Sequence, residues 1–499
     1  MRTTIRRLNM AFRRNETLGS LMSHLAEIHQ DAVLVTEHRA GRALTYRAAA
    51  ELIERWSDAI AARSSPGAPV VIATPNGYDQ LLLCLAVSRA GCIAAPVNDQ
   101  MRAAEIRHVI EDSGAEMVIR SIDDLAGSHP QIQPMDPDPS DIAALFYTSG
   151  TTGAPKGAAL THRSLVGQMG AGALWPSMLR SDEVVVALPV AHIMGFAVYL
   201  ALATCGIRTY VLEKFRPVEV LEVIEARHPF GFIGVPAMYR KLDEAGADNR
   251  DLSSIRIWGS GADVMPTDLI RRFKSMGASV SVPLLGSVGE AAFVEGYGMV
   301  EVGGGVAAKV SPPMIPLAVG DGLGIRLPGN RFRVVDEFGG TVPIGGVGEL
   351  WIKGPGVLRE YWNSPEATTE TLTSDGWLRT GDLVRRGVFG SIVFRGRSKH
   401  VIKSGGYSVY PAEIEAVLEE HPDVAEASVI GIEDHSLGEI PVAAVRLRPR
   451  STLSADDLVA WSATRLSRYK APRRVIVVKQ FARTGTDKIQ KERLRGLFD

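Results

Sequence analysis

Tyr147-Thr148-Ser149-Gly150-Thr151-Thr152-Gly153-Ala154-Pro155-Lys156-Gly157 follows directly on the apolar run 142–147. The run predicts a buried strand, so the hydroxyls and glycines begin where a strand ends. Thr148, Ser149, Thr151 and Thr152 offer hydroxyl donors. Gly150 and Gly153 let backbone N–H groups approach an anion, and Lys156 adds positive charge. The segment reads as a phosphate cradle. It is not the P-loop pattern, because its lysine is followed by Gly157 and not by Ser or Thr.

Outward from this segment the chain alternates between strand and helix. Towards the N-terminus, strand-like residues 70–73, a helix over 78–90, strand-like 93–97, a helix over 103–112 and a strand over 116–120 form a β-α-β-α-β run. Towards the C-terminus the rhythm resumes with a helix from Pro217, strand 230–235, helix 236–245, strand 255–258, helix 266–276 and strand 280–284. The expected fold class is α/β: a large N-terminal domain of doubly wound, mostly parallel sheets covered by helices. Residues 332–352 turn β-rich, with Gly339-Gly340 and Gly345-Gly346 as turns, and predict a small β lobe. After Arg397 a compact α+β unit is expected, which sets domains at 1–396 and 397–499 with a hinge near Lys399.

The balance of charge excludes some functions. With 55 basic and 56 acidic residues there is no overall field to draw nucleic acid or an anionic membrane. Cys84, Cys92 and Cys205 sit in apolar surroundings, which suits buried thiols in a reducing, cytoplasmic compartment. The start carries Arg2, Arg6, Arg7, Arg13 and Arg14 with no acid up to Arg14. It reads as a frayed or loosely docked arm, with a weak peripheral membrane contact as the alternative. No apolar run is long enough to span a bilayer. The sequence leaves the oligomeric state open.

Further segments carry chemistry. Gly296-Tyr297-Gly298-Met299-Val300-Glu301 lies beyond the last βα unit, where ligands of open sheets gather. Asp375-Gly376-Trp377-Leu378-Arg379-Thr380-Gly381-Asp382 ends on a carboxylate, a pure acceptor suited to hydroxyl groups. Phe394-Arg395-Gly396-Arg397-Ser398-Lys399 is followed by Lys403-Ser404-Gly405-Gly406-Tyr407. Arg483-Thr484-Gly485-Thr486-Asp487-Lys488-Ile489 lies near the end, Pro189-Val190-Ala191-His192-Ile193-Met194-Gly195 in the middle, and Gly259-Ser260-Gly261-Ala262 before the 296–301 element.

Together with the 147–157 loop, these motifs resemble, in order, those of the adenylate-forming superfamily, and most closely its acyl-CoA synthetase branch. The resemblance covers about residues 17–499. It implies ATP, Mg2+ and coenzyme A as cofactors and a two-step reaction through an acyl-adenylate. By resemblance, residues 148–153 and Lys156 hold the nucleotide phosphates, Tyr297 stacks on adenine beside Gly261 and Ala262, and Glu301 helps hold magnesium. Asp382 and Arg397 take the ribose, Lys399 is the pivot of a mobile C-terminal domain, and Lys403, Gly405 and Gly406 line the thiol tunnel. Lys488 is the catalytic lysine, whose ammonium offsets charge at the α-phosphate, and His192 gates the acyl pocket or contacts the carboxylate. Val300, His400 and Asp487 stand where relatives carry threonine, often aspartate, and glycine. The acyl pocket is expected near Met194, Gly234 and Trp258, and its apolar character favours a fatty or other hydrophobic acid. Alternatives are an acyl-AMP ligase that loads an acyl carrier protein and, from another class, a non-catalytic nucleotide or acyl-AMP binder.

Overall fold

The computed structural model describes residues 6–8, 10, 16–127, 135, 137–148, 155–167, 169–176, 182–282, 286–314, 322–405, 407–483 and 489–498. The chain divides into two compact units. The first holds residues 1–320, 324–331 and 353–378, and the second 321–323, 332–352 and 379–499.

The first unit contains two large sheets. One has nine strands, and six neighbours within it run parallel: Ala292–Met299, Ile257–Gly261, Gly231–Gly234, Glu183–Val186, Arg208–Val211 and Val33–Glu37. The other has six strands in the order Glu360–Tyr361, Lys156–Thr161, Ile142–Thr148, Ile93–Pro96, Pro69–Ile72, Met117–Ile119. Its central strands Pro69–Ile72 and Ile93–Pro96 are buried along their whole length, as expected for parallel strands covered on both faces. The α/β architecture expected from the alternating pattern is the one observed.

Local chemistry sets the helix boundaries. Thr45 accepts the Ala48 N–H to start the helix Tyr46–Ala61, and Thr17 does the same for Leu18–His29 through Ser20. Proline opens Pro217–Arg227, Pro236–Glu244 and Pro411–Glu419, where its missing N–H costs nothing. Near the start, Met10 is buried and Arg6 pairs with Glu27 at 3.2 Å; most of residues 1–15 lie outside the described set.

One expected element lands elsewhere. The strand at 280–284 does not continue the main sheet: Val280–Val282 forms a separate antiparallel hairpin with Gly286–Val288, and Val280 and Val288 are both about half exposed. The place beside Ile257–Gly261 goes to Ala292–Met299, whose Phe293 fills the aromatic core that a Val-Ser-Val segment would leave empty.

The second unit holds a four-stranded sheet, Arg331–Val335, Val347–Lys353, Leu378–Arg386 and Ile392–Arg397, which is the β lobe. It also holds an α+β body in which the hairpin Val424–Asp434 and Gly438–Leu447 packs on the helix Pro411–Glu419. Packing therefore groups most of the lobe with the C-terminal body. Among the described residues no helix is long and apolar enough to cross a membrane.

Candidate active site

Strand Ile142–Thr148 ends as expected at the hydroxyl-rich loop, and the chain returns at once as the antiparallel strand Lys156–Thr161, with Thr148 opposite Lys156. The expected cradle thus falls between two paired strands. Ser149, Gly150, Thr151, Thr152 and Gly153 lie outside the described residues. The flanking residues are braced by the helix Ala103–Ser113: His108 Nε2 lies 2.9 Å from the Pro155 carbonyl, and Tyr147 donates its hydroxyl to Asp112 at 2.8 Å. Burial, with that carboxylate beside it, pushes the Tyr147 phenol well above its usual range and keeps it a donor. A β-carbon at Gly157 would stand 3.0 Å from the Tyr147 ring, so this glycine leaves room for the brace.

The C-terminal ends of the parallel strands bring a second group together. Gly261 and Gly296 are register partners on neighbouring strands, and a β-carbon on Gly261 would meet the Gly296 carbonyl at 3.1 Å and the Met194 methyl at 3.3 Å. Ala262 turns the chain at φ +68°, a left-handed conformation that costs a non-glycine residue on the order of 1 kcal/mol. Met194 reaches Gly261 from the first turn of the helix Ile193–Cys205, whose N-cap is His192. His192 Nδ1 accepts the Met194 N–H at 3.3 Å. Tyr297 is half-buried on the strand that carries Gly296.

Two residues expected in the acyl pocket lie on the other face of these strands. Side chains alternate along a strand, and Trp258 is register partner of Phe232 and Phe293, one face away from Gly259 and Gly261. Trp258 is fully buried, with its ring centroid 5.1 Å from that of Phe273 and 6.1 Å from that of Tyr239. It is a core residue and does not shorten a pocket beside Met194. Gly234 stands on the same side, where the space of a side chain is taken by the Phe232 ring and the Met238 sulfur.

Glu301 sits on a 3-10 turn, Val300–Val302, just beyond the strand Ala292–Met299. Tyr361 Oη donates to Glu301 Oε1 at 2.8 Å, and the Lys156 ammonium lies 5.9 Å from the centroid of the same tyrosine ring, at the outer limit of a cation–π contact. Cation, aromatic hydroxyl and carboxylate therefore line up in one place. Among the described residues no cluster of three or more acids, histidines or cysteines could hold a metal. Glu301, with one oxygen committed to Tyr361 and another left over, suits an ion such as magnesium that takes most of its ligands from phosphates and water. Sequence reasoning missed Tyr361. The signal was there as an aromatic and polar run, Tyr361-Trp362-Asn363, placed between the Gly354-Pro355-Gly356 turn and a proline-started helix.

In the second unit Asp382 and Arg397 are cross-strand partners, with Arg397 Nε 2.6 Å from Asp382 Oδ1. Thr380 and Glu349 hold the adjoining backbone, Thr380 Oγ1 accepting the Asp382 N–H at 3.0 Å and Glu349 Oε1 the Gly381 N–H at 2.8 Å. Lys399 is exposed on the following turn, and beside it burial, then Lys491 and Lys399, push the His400 imidazole down to about 4. Lys403 Nζ donates to Ser408 Oγ at 2.9 Å, and Gly405 adopts φ +54° with its N–H on the Leu437 carbonyl at 2.8 Å. Gly406 and Lys488 lie outside the described residues. The ends of the Lys488 loop are tied: Arg483 bridges Ile489, the Gln490 N–H bonds the Ala482 carbonyl at 2.9 Å, and Arg483 pairs with the buried Glu426.

The profile of the AMP-binding enzyme family matches residues 23–362, and that of the AMP-binding enzyme C-terminal domain matches residues 413–488. Feruloyl-CoA synthase of Amycolatopsis sp is 32% identical over 97% of this chain and 100% of its own length. The long-chain-fatty-acid–CoA ligase FadD13 of Mycobacterium tuberculosis is 28% identical over 96% of this chain and 98% of its own. Among solved structures, ATP-bound MatB from Rhodopseudomonas palustris superposes with a TM-score of 0.85 at 27% identity, covering 97% of this chain and 99% of that one.

Proposed function

Because the chain belongs to the AMP-binding enzyme family, in its acyl-CoA synthetase branch, we propose that it activates a hydrophobic carboxylic acid, aryl or fatty, and transfers it to coenzyme A. The reaction is that of an acid–thiol ligase forming AMP. ATP and the carboxylate give an acyl-adenylate and pyrophosphate, and the thiol of coenzyme A then displaces AMP.

The observation that carries this reading is the convergence of Lys156, Tyr361 and Glu301 at the mouth of the Thr148–Lys156 hairpin. In-line attack at phosphorus needs little acid–base help and much positioning and charge neutralisation. Lys156 supplies a fixed positive charge, and Glu301 offers an oxygen towards a cation. Glu301 would hold a magnesium ion, which would help offset the charge of the nucleotide phosphates. Tyr297 gives adenine a stacking face beside the side-chain-free edge of Gly261 and Gly296. Asp382, an acceptor held by Arg397, receives ribose hydroxyls. His192, N-cap of the helix that carries Met194, contacts the carboxylate of the acid. Lys488 contributes its charge to the adenylation step.

The hydrophobic substrate is supported by Met194 against Gly261 and by the acids named for the two relatives. The buried thiols of Cys84 and Cys92 and the half-buried Cys205 suit a reducing compartment, and we place the enzyme in the cytoplasm. The test is carboxylate-dependent ATP–pyrophosphate exchange over acids from acetate to long-chain and aryl, followed by product analysis with coenzyme A and with a carrier protein. The reading predicts exchange with aryl or fatty acids and a coenzyme A thioester. Nucleotide binding without exchange for any acid overturns it, and a product formed only on the carrier protein moves the acceptor.

A further inference from the structure

Tyr361 is held more firmly than a surface tyrosine needs to be. Its two-residue strand Glu360–Tyr361 pairs with Ala158 and Ala159 of the strand that begins at Lys156. The flanking N–H groups are fixed as well, Arg359 on the Ala159 carbonyl at 2.9 Å and Trp362 on the Gly157 carbonyl at 2.7 Å, while Thr368 Oγ1 accepts the Tyr361 N–H at 2.9 Å. The next two side chains reach the helix that braces the hairpin: Trp362 Nε1 donates to the Ser113 carbonyl at 3.2 Å and Asn363 Nδ2 to the Asp112 carbonyl at 2.7 Å. The ring therefore has little freedom. Its hydroxyl is delivered to a carboxylate on the 3-10 turn between two strands of the other sheet, a turn tied by the Leu358 N–H to the Glu301 carbonyl at 2.8 Å.

A hydroxyl bonded to one carboxylate oxygen fixes the plane of that carboxylate and leaves the other oxygen pointing in a set direction. We propose that Tyr361 is the positioning residue of the cation site: it aims Glu301 so that the nucleotide binds as its magnesium complex, and its ring keeps the Lys156 ammonium alongside. This rests on the reading of Glu301 given above. Val300, the residue before Glu301, has no hydroxyl, so a phenol from another strand is the oxygen donor observed at this turn.

The test compares binding of a non-hydrolysable ATP analogue, by calorimetry, in EDTA and in saturating magnesium, for wild type, Tyr361→Phe, Glu301→Gln and the double variant. The phenylalanine keeps the ring, the strand pairing and the contact with Lys156, and removes only the hydroxyl. Wild type is expected to bind more tightly with magnesium; if it does not, the underlying reading of Glu301 fails. Given that gain, Tyr361→Phe should cut it by about tenfold, the worth of a hydrogen bond to a charged group, with affinity in EDTA within about twofold of wild type. The double variant should be no worse than Glu301→Gln. A magnesium gain in Tyr361→Phe equal to that of wild type, an equal loss with and without magnesium, or additive losses in the double variant would overturn the proposal.

Discussion

Arg397 Nε stands 2.6 Å from the carboxylate of Asp382, and the two differ sharply in exposure: the Asp382 side chain is 2% accessible and that of Arg397 41%. The carboxylate is thus buried with its counter-ion at the surface. Arg397→Leu leaves a buried charge without its partner. It should cost about 1–3 kcal/mol in urea denaturation, below the cost for a fully buried pair because water reaches the arginine. Asp382→Asn should be milder for stability while raising the KM for ATP by roughly tenfold, consistent with loss of a charged hydrogen-bond acceptor. An unchanged KM for ATP would remove Asp382 from the ribose site.

Lys488→Ala separates the half-reactions. Adenylation, followed by pyrophosphate release, should fall by about 100-fold or more. Thioester formation from preformed acyl-adenylate, where the anhydride is already activated, should stay within a few-fold of wild type. Equal losses in both steps would show that this lysine is not specific to adenylation.

Met194 and Trp258 should respond in opposite ways. Met194→Ala widens the space beside Gly261, and the ratio of kcat/KM for a bulky acid to that for a small one should rise by about tenfold. Trp258→Ala opens a cavity in the aromatic core and should cost about 3–5 kcal/mol of stability. The acid preference of the folded fraction should remain as in wild type. A change in selectivity without loss of stability in Trp258→Ala would return that residue to the pocket.

Two imidazoles make the fold acid-sensitive. Burial, and secondarily the charge of Arg7, push His29 down to about 4, and burial with Lys491 and Lys399 does the same for His400; the ordinary value is 6.5. Between these limits the unfolded chain binds protons that the folded chain refuses. Stability from these groups is therefore whole above pH 6.5, falls as the pH drops towards 4, and changes no further below that. Partial exposure limits each to about 1–2 kcal/mol. Urea midpoints from pH 7 to 4.5 should decline, and His29→Phe, whose ring can keep the stack on Tyr46 at 4.6 Å, should flatten the decline.

The parts of this enzyme that were legible in the sequence are those carried by local pattern. Prolines marked the helix starts at 217 and 236, alternating runs marked strands, and the order of motifs marked the nucleotide chemistry. What escaped was set by strand register. Trp258 sits three residues before Gly261 in sequence, but alternation turns the two to opposite faces, and only pairing with Phe232 and Phe293 reveals which face is core. Tyr361 lies 60 residues from Glu301 and 205 from Lys156 in the chain, so no local window joins them. The segment 280–284 reads as a strand of the main sheet because its alternation is right for a strand and silent about its neighbour; residues 280–282 pair instead with 286–288.

The strand Glu360–Tyr361 is the outer strand of its sheet and is two residues long, closed by the Trp362-Asn363 turn with Asn363 at φ +51°. Without it, the six-residue strand Lys156–Thr161 would present a free row of amide and carbonyl groups, a template for strand addition by another molecule. The segment that carries Tyr361 thus also guards this border of the sheet against self-association. Damage here, by deletion or proteolysis, should show first as precipitation during expression.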